Sequence, residues 1–284
     1  MTASSETREL VVVTGTSSGM GAATARELAR RGFHVLAGVR RDHDADAIRG
    51  PGIEPVIIDI TRSDHIQALT TRLHDDPRPL RALVNNAAIQ ANAPVEAFSL
   101  EEWRNMFEVN LFGQIAVTQA LLPALIDSSG RVVNISSVGG KVAMAAYGPY
   151  AGTKFALEAV SDSLRRELAP LCVDVVVVEP GAVRTEMLSR AGTARVLTSE
   201  QAGRYGGLVH AVTAQAAAST KVGLSADDAA TVIAKAVTAR KPRTRYTIGH
   251  DAALITRLVR VVGDRTLDRI LAAALRRHFP QPST

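Results

Sequence analysis

The chain has a single cysteine, Cys172, among its 284 residues. An intramolecular disulfide and a cysteine-built metal cluster are therefore both excluded. The 7 histidines are scattered without an HxxxH pair, so no zinc-binding helix is encoded. Aromatic residues make up only 4% of the chain, against 46% hydrophobic residues in all. Val, Ile, Leu and Ala must then fill the core, which suits strands buried on both faces. Long apolar runs are also missing: the longest are strand-sized, and none follows a basic stretch at the start. Neither a membrane-spanning helix nor a secretory signal is expected, and the cytoplasm is the expected compartment.

A charged fraction of 21% argues for a folded chain over a disordered one. The net charge of +5 could point to nucleic acid, but much of the excess lies late, in Arg240, Lys241, Arg243, Arg245, Arg257, Arg260, Arg265, Arg269, Arg276 and Arg277. No aromatic residues interleave with these in a stacking pattern, so no nucleic-acid partner is expected. A solvated basic face is the plainer reading, with an anionic membrane surface as the alternative.

Short β-branched runs alternate with helical ones, the pattern of a parallel sheet covered by helices. Strands are expected from Leu10, at 34–39, at 55–60, and from Arg81, Arg131 and Val173, with TRYTIG as a last one. Helices are expected over Met20 to Arg31, over roughly 99–126 and 148–169, and in DDAATVIAKAVTAR. Residues 186–225 are rich in small and polar types with weak periodicity, which predicts a lid over a substrate. Residues 250–284 read as an amphipathic helical extension. No repeat or linker divides the chain, so one doubly wound, Rossmann-type α/β domain of about seven strands is expected.

The first strand runs into Gly15-Thr16-Ser17-Ser18-Gly19-Met20-Gly21 and then directly into a helix. Glycines in such a turn let the backbone approach a pyrophosphate, whose charge meets free N–H groups at the helix start. The same three glycines could serve only the turn; the strand before and the helix after favour a dinucleotide. The second strand ends Val39-Arg40-Arg41, without the carboxylate that would accept from an adenosine ribose. A guanidinium fork suits a 2′-phosphate, so NADP(H) is expected ahead of NAD(H).

Tyr150 and Lys154 stand at i and i+4, one turn apart on a helix face. A free phenol titrates at about 10, and an ammonium one turn away should lower that value towards neutrality. Ser137 ends the fifth strand, at the sheet end where ligands sit, and could hold a carbonyl oxygen beside the tyrosine. Tyr147 lacks a lysine four residues on and is not the acid.

Taken in order, TGTSSGMG, NNAA, Asn110, Ser137, YAGTK and PGAVRT resemble the short-chain dehydrogenase/reductase family over at least residues 10–186. LAGVRR, SSVGGK and KFALE lean towards its hydroxysteroid and retinol dehydrogenase branch. The resemblance implies that Tyr150 is the general acid/base, that Lys154 tunes it and binds the nicotinamide ribose, that Ser137 orients the carbonyl, and that Asn110 holds a relay water. It also implies cofactor contacts at Asp59, Ile60, Asn86, Ala87, Ala88, Pro180, Gly181, Val183 and Thr185, with a homodimer or homotetramer as the assembly. A buried asparagine also commonly just satisfies backbone groups, and an Asp commonly caps a turn. Ala88 departs from the family's usual glycine. Val138, Met144, Tyr147, Met187 and Leu188 are expected as apolar pocket walls, which suits a hydrophobic alcohol and its ketone. A non-catalytic NADP(H)-binding sensor on the same fold is the second reading.

Overall fold

The structure is a computed structural model and describes residues 8–186, 197–259 and 261–280. The β-branched runs form seven strands: β1 (Leu10–Val13), β2 (His34–Val39), β3 (Ile53–Ile57), β4 (Leu80–Asn85), β5 (Arg131–Ile135), β6 (Asp174–Pro180) and β7 (Arg245–Ile248). All pair in parallel, in the order β3-β2-β1-β4-β5-β6-β7. Side chains alternate across each strand. Val11 and Val13 accordingly enter one core and Leu10 and Val12 the other.

The first core is closed by α1 (Gly19–Arg30), α2 (Asp42–Ile48) and α8 (Ala226–Thr238), through Leu28, Ile48 and Ile233. The second is closed by α3 (Ser63–His74), α5 (Gly113–Asp127) and α6 (Gly148–Leu168), through Leu69, Leu121 and Leu168. Strand order reverses at β1 and β4, so a crevice opens beyond their carboxyl ends.

Four details differ from the sequence expectation. The third strand begins at Ile53, because its ladder with β2 runs from Val35↔Ile53 to Val39↔Ile57. As an edge strand it tolerates Pro55, which has no N–H to donate. Helices α2 and α3 fill the crossovers on either side of it; α2 is short and polar, whereas α3 is as long as α1 and buries Ile66, Leu69 and Leu73 along one face, a stripe the sequence expectation did not include. Within 186–225 the chain forms α7 (Ser199–Val222), opened by a reciprocal cap between Thr198 and Gln201. Finally, α4 (Leu100–Phe107) and α5 join through a wide, π-type turn at 108–112. By length and composition the continuous helix Leu100–Asp127 could cross a membrane, yet its Val117, Leu121 and Leu125 are buried against the sheet. The extension forms α9 (His250–Leu258) and α10 (Asp264–Arg276); α10 has no buried residue.

Candidate active site

A cleft of about 380 Å³ lies at the crevice between β1 and β4. Its floor is the glycine turn. Gly15 has φ +70°, and a Cβ there would come within 2.7 Å of the Ala87 backbone. Gly19, at φ +55°, packs against Thr185. Ser18 caps α1 without a side-chain bond, and the first turn of that helix carries no acidic residue. Its leading N–H groups are thus left to an anion. Thr14 fixes this turn to β4: its Oγ1 accepts from the N–H groups of Asn86 and Ala87, both at 3.0 Å. Asn86 returns the contact, donating from Nδ2 to the carbonyls of Thr14 (2.9 Å) and Gly15 (3.0 Å).

Of the expected cofactor residues, Gly15, Ser17, Ser18, Gly19, Met20, Gly21, Arg40, Asp59, Ile60, Asn86, Ala87, Ala88 and Thr185 line the cleft, as do Tyr150 and Lys154. Thr16 does not. It is fully buried and donates its hydroxyl to the Gly38 carbonyl at 3.0 Å, holding the turn to β2. Arg41 also stands off the cleft, as the cap of α2. Pro180 and Val183 are buried, and Val183 bridges Leu224 beside the α8 core. The turn at Gly181 is held from outside, by the Asp251 carboxylate that accepts from the Ala182 N–H at 3.2 Å.

At the other end of the cleft the groups are dry. Tyr150 is 7% exposed and Lys154 2%. Burial pushes the Tyr150 phenol up to about 12, although its hydrogen bond with Ser137 pulls the other way. Burial also holds the Lys154 ammonium down to about 8, with the Glu158 charge opposing. The net effect on Tyr150 is the reverse of the one expected from its i+4 lysine. Desolvation dominates at Tyr150, and the Lys154 ammonium is turned to the backbone: its Nζ donates to the Ile135 carbonyl at 2.8 Å and sits 5.9 Å from the ring centroid.

Ser137 caps the 138–140 turn, its Oγ accepting from the Gly139 N–H at 3.0 Å. Asn110 lies in the wide turn with its amide fully engaged. Its Oδ1 accepts from the Ile89 N–H and its Nδ2 donates to the Ile89 carbonyl, both at 2.8 Å, and to Thr153 Oγ1 at 3.2 Å. It bolts the loop after β4 to α6, so its side chain serves the backbone, whether or not Asn110 also holds a relay water. Tyr150 packs into an apolar cluster with Ala93, Phe98, Met106, Trp103, Tyr147 and Leu197, none of which lines the cleft itself. Burial pushes the Tyr147 phenol up as well, and Val138 and Met144 are half-buried nearby in sequence. Met187 and Leu188 lie outside the described residues.

The cleft is also lined by Gly38, Gln90 and Asn105, none of which the sequence had singled out, and by Ser136 in place of its neighbour Ser137. Gly38 was findable. A glycine inside a strand marks a close backbone approach, and a Cβ there would come within 2.7 Å of the Ile58 side chain.

A glycine-floored cleft at the switch point, ending in an exposed arginine at one side and the buried Tyr150 and Lys154 at the other, has the form of a dinucleotide-dependent oxidoreductase. The short chain dehydrogenase family model matches residues 9–195. The chain is 31% identical over 276 residues to an NADPH-dependent 3-dehydrocapnine reductase of Ornithobacterium rhinotracheale, covering 94% of this chain and 97% of that one. It is 36% identical over 258 residues to retinol dehydrogenase 7 of Mus musculus, covering 86% and 81%. A crystal structure of a short-chain dehydrogenase from Streptomyces avermitilis superposes with a TM-score of 0.76 at 29% identity, covering 96% of each chain. The chain belongs to the short-chain dehydrogenase/reductase family, with retinol-dehydrogenase-like relatives, and is an oxidoreductase of CH–OH and carbonyl groups that uses NAD(P).

Proposed function

We propose that this enzyme reduces a hydrophobic ketone or aldehyde to its alcohol with NADPH. The observation that carries the reading is the meeting of Tyr150 and Ser137 over Gly139, where a Cβ would lie 3.3 Å from the Tyr150 ring and 3.4 Å from Ser137 Oγ, with the phenol held protonated at the dry end of the cleft. The glycine turn, the Asn86 clamp and the uncapped start of α1 fit the pyrophosphate; Arg40 fits a 2′-phosphate and Asp59 an adenine. The nicotinamide, when bound, supplies the hydride.

The remaining chemistry belongs to the chain. Ser137 donates to the substrate oxygen and orients it. Tyr150 Oη transfers its proton to that oxygen as negative charge develops there. Lys154, charged below about 8, stabilises the phenolate left behind. The raised phenol keeps its proton near neutral pH, the state from which it can donate to a carbonyl oxygen. The apolar cluster packed around Tyr150, with Phe98, Trp103 and Tyr147, favours a hydrophobic substrate, and the retinol dehydrogenases among its relatives accord with that.

The test is NADPH absorbance against a panel of aliphatic, cyclic and aromatic ketones and aldehydes, with NADH run in parallel. Turnover of apolar members with NADPH is expected. Tight NADPH binding with no turnover of any member would instead favour a non-catalytic sensor. A homodimer is part of the same reading, because Phe112 and Phe155, on the helical layer of α5 and α6, are 53% and 44% exposed. Sedimentation at micromolar concentration should show at least a dimer; a stable monomer would overturn this.

A further inference from the structure

Four charged side chains that the proton transfer does not use meet beneath the site. Glu158 lies one turn beyond Lys154 on α6 and is 5% exposed. Its Oε2 accepts from Lys141 Nζ at 2.6 Å and from Arg245 Nη2 at 2.9 Å. Glu179, on β6 and 2% exposed, has its Oε1 3.5 Å from Lys141 Nζ and 3.2 Å from Arg245 Nε. Arg245 also reaches Asp162 Oδ1 at 2.8 Å. A buried cluster of this kind contributes little net stability compared with apolar packing, so its placement says more than its energy.

The placement joins three parts of the site. Lys141 directly follows the turn that Ser137 caps. That turn is pressed onto α6 at Gly140, where a Cβ would come within 2.7 Å of Ser136 Oγ and 3.1 Å of both Glu158 Cγ and the Lys154 carbonyl. Glu158 shares α6 with Tyr150 and Lys154. Glu179 immediately precedes Pro180-Gly181, which leads to Thr185 on the cleft.

We propose that Glu158, held by Lys141 and Arg245, is a positioning residue that keeps Lys154 charged and registers the Ser137 turn against Tyr150. The inference rests on the reductase reading above. The groups facing Glu158 are Lys154 on its own helix, Lys141 from the turn after β5, Glu179 from β6 and Arg245 from β7, with Asp162 acting through Arg245. Glu158 works against the burial that takes Lys154 down to about 8. Without that charge the ammonium would lose its proton at lower pH, and the phenolate its support.

The experiment is the pH profile of NADPH-dependent reduction, with the best ketone of the panel. The rate should fall as pH rises through the Lys154 value. Glu158→Gln keeps the shape and an acceptor but removes the negative charge, so this alkaline limb should move down by about one pH unit. Lys141→Met removes a cation facing the same carboxylate, so the limb should move up, by about half a unit. Glu158→Asp should return the limb towards that of the wild type. Structural damage would lower the rate without moving the limb in opposite directions. Lys141 is partly exposed, so Lys141→Met carries the test alone if Glu158→Gln fails to fold. An active wild type with unmoved limbs in the folded variants overturns the proposal. A wild type that binds NADPH and reduces nothing overturns the reductase reading, and this inference falls with it.

Discussion

At the proton-transfer end of the cleft Tyr150 and Lys154 are almost wholly buried, whereas at the adenosine end Arg40 is exposed and Asp59 only half-buried. The same kinds of charged group therefore work under different rules. Where water is excluded, desolvation moves the phenol up to about 12 and the ammonium down to about 8. Where water is present, charges are screened and each contact adds affinity in modest steps. The dry end is suited to moving a proton and the wet end to sorting cofactors. Substitutions should rank accordingly.

The largest effect belongs to Tyr150→Phe, which removes the proton donor while leaving the ring in its packed position. General acid catalysis contributes ~10²–10⁴-fold, so the reductive rate should fall by that much. NADPH affinity by fluorescence titration should be nearly unchanged, because the phenol is not what holds the cofactor. Lys154→Met should lower both turnover and affinity. A wild-type single-turnover rate in Tyr150→Phe would remove the contrast between the two ends altogether.

At the wet end the expected effect is on selection. Arg40→Asp removes a charge-assisted contact and puts repulsion in its place, but in screened surroundings. NADPH should bind about 10- to 100-fold more weakly, and NADH equally well or better. Equal NADPH affinity in variant and wild type would mean that the guanidinium does not meet the 2′-phosphate.

The two ends also differ in how openly the sequence announces them. The glycine turn and the Tyr150–Lys154 pair are local patterns, legible because one turn of helix or one tight loop sets their geometry. The sheet was legible for a related reason: strands buried on both faces read as unbroken apolar runs. Helix α7 was not. Gly203, Gly206 and Gly207 interrupt it and only Ala211, Val212 and Ala216 are buried, so no broad apolar stripe exists to be read. The signal available was the Thr198–Gln201 capping pair. Thr16 was read towards a ligand and Asn110 either way; the structure spends the Thr16 hydroxyl on the Gly38 carbonyl and the Asn110 side chain on the Ile89 backbone and Thr153. The Glu158 cluster was invisible for a different reason. Its partners come from the turn after β5, from β6 and from β7, and no spacing along one chain segment encodes such a meeting.

The smallest effect expected is at Asp59, where the turn-capping and adenine-binding readings can be separated atom by atom. Both bonds from Thr61, its N–H at 3.0 Å and its hydroxyl at 2.7 Å, land on Asp59 Oδ1. Oδ2 is left for a ligand in the cleft that Asp59 lines. Burial raises the Asp59 pKa, but the Thr61 bonds and the Arg40 charge outweigh it and keep the carboxylate ionised. Asp59→Asn preserves an oxygen for Thr61 and replaces the other with an amide nitrogen, which cannot accept from the adenine amino group. The loss is one hydrogen bond of ~0.5–1.5 kcal/mol, or about two- to thirteenfold in NADPH affinity. Thr61→Val removes the hydroxyl bond but keeps the backbone one, so affinity should stay within about twofold. Because the adenine is common to both cofactors, Asp59→Asn should weaken NADH by the same factor, unlike Arg40→Asp. If Asp59→Asn leaves both affinities untouched, Asp59 serves only its turn, and discrimination at the wet end rests on Arg40.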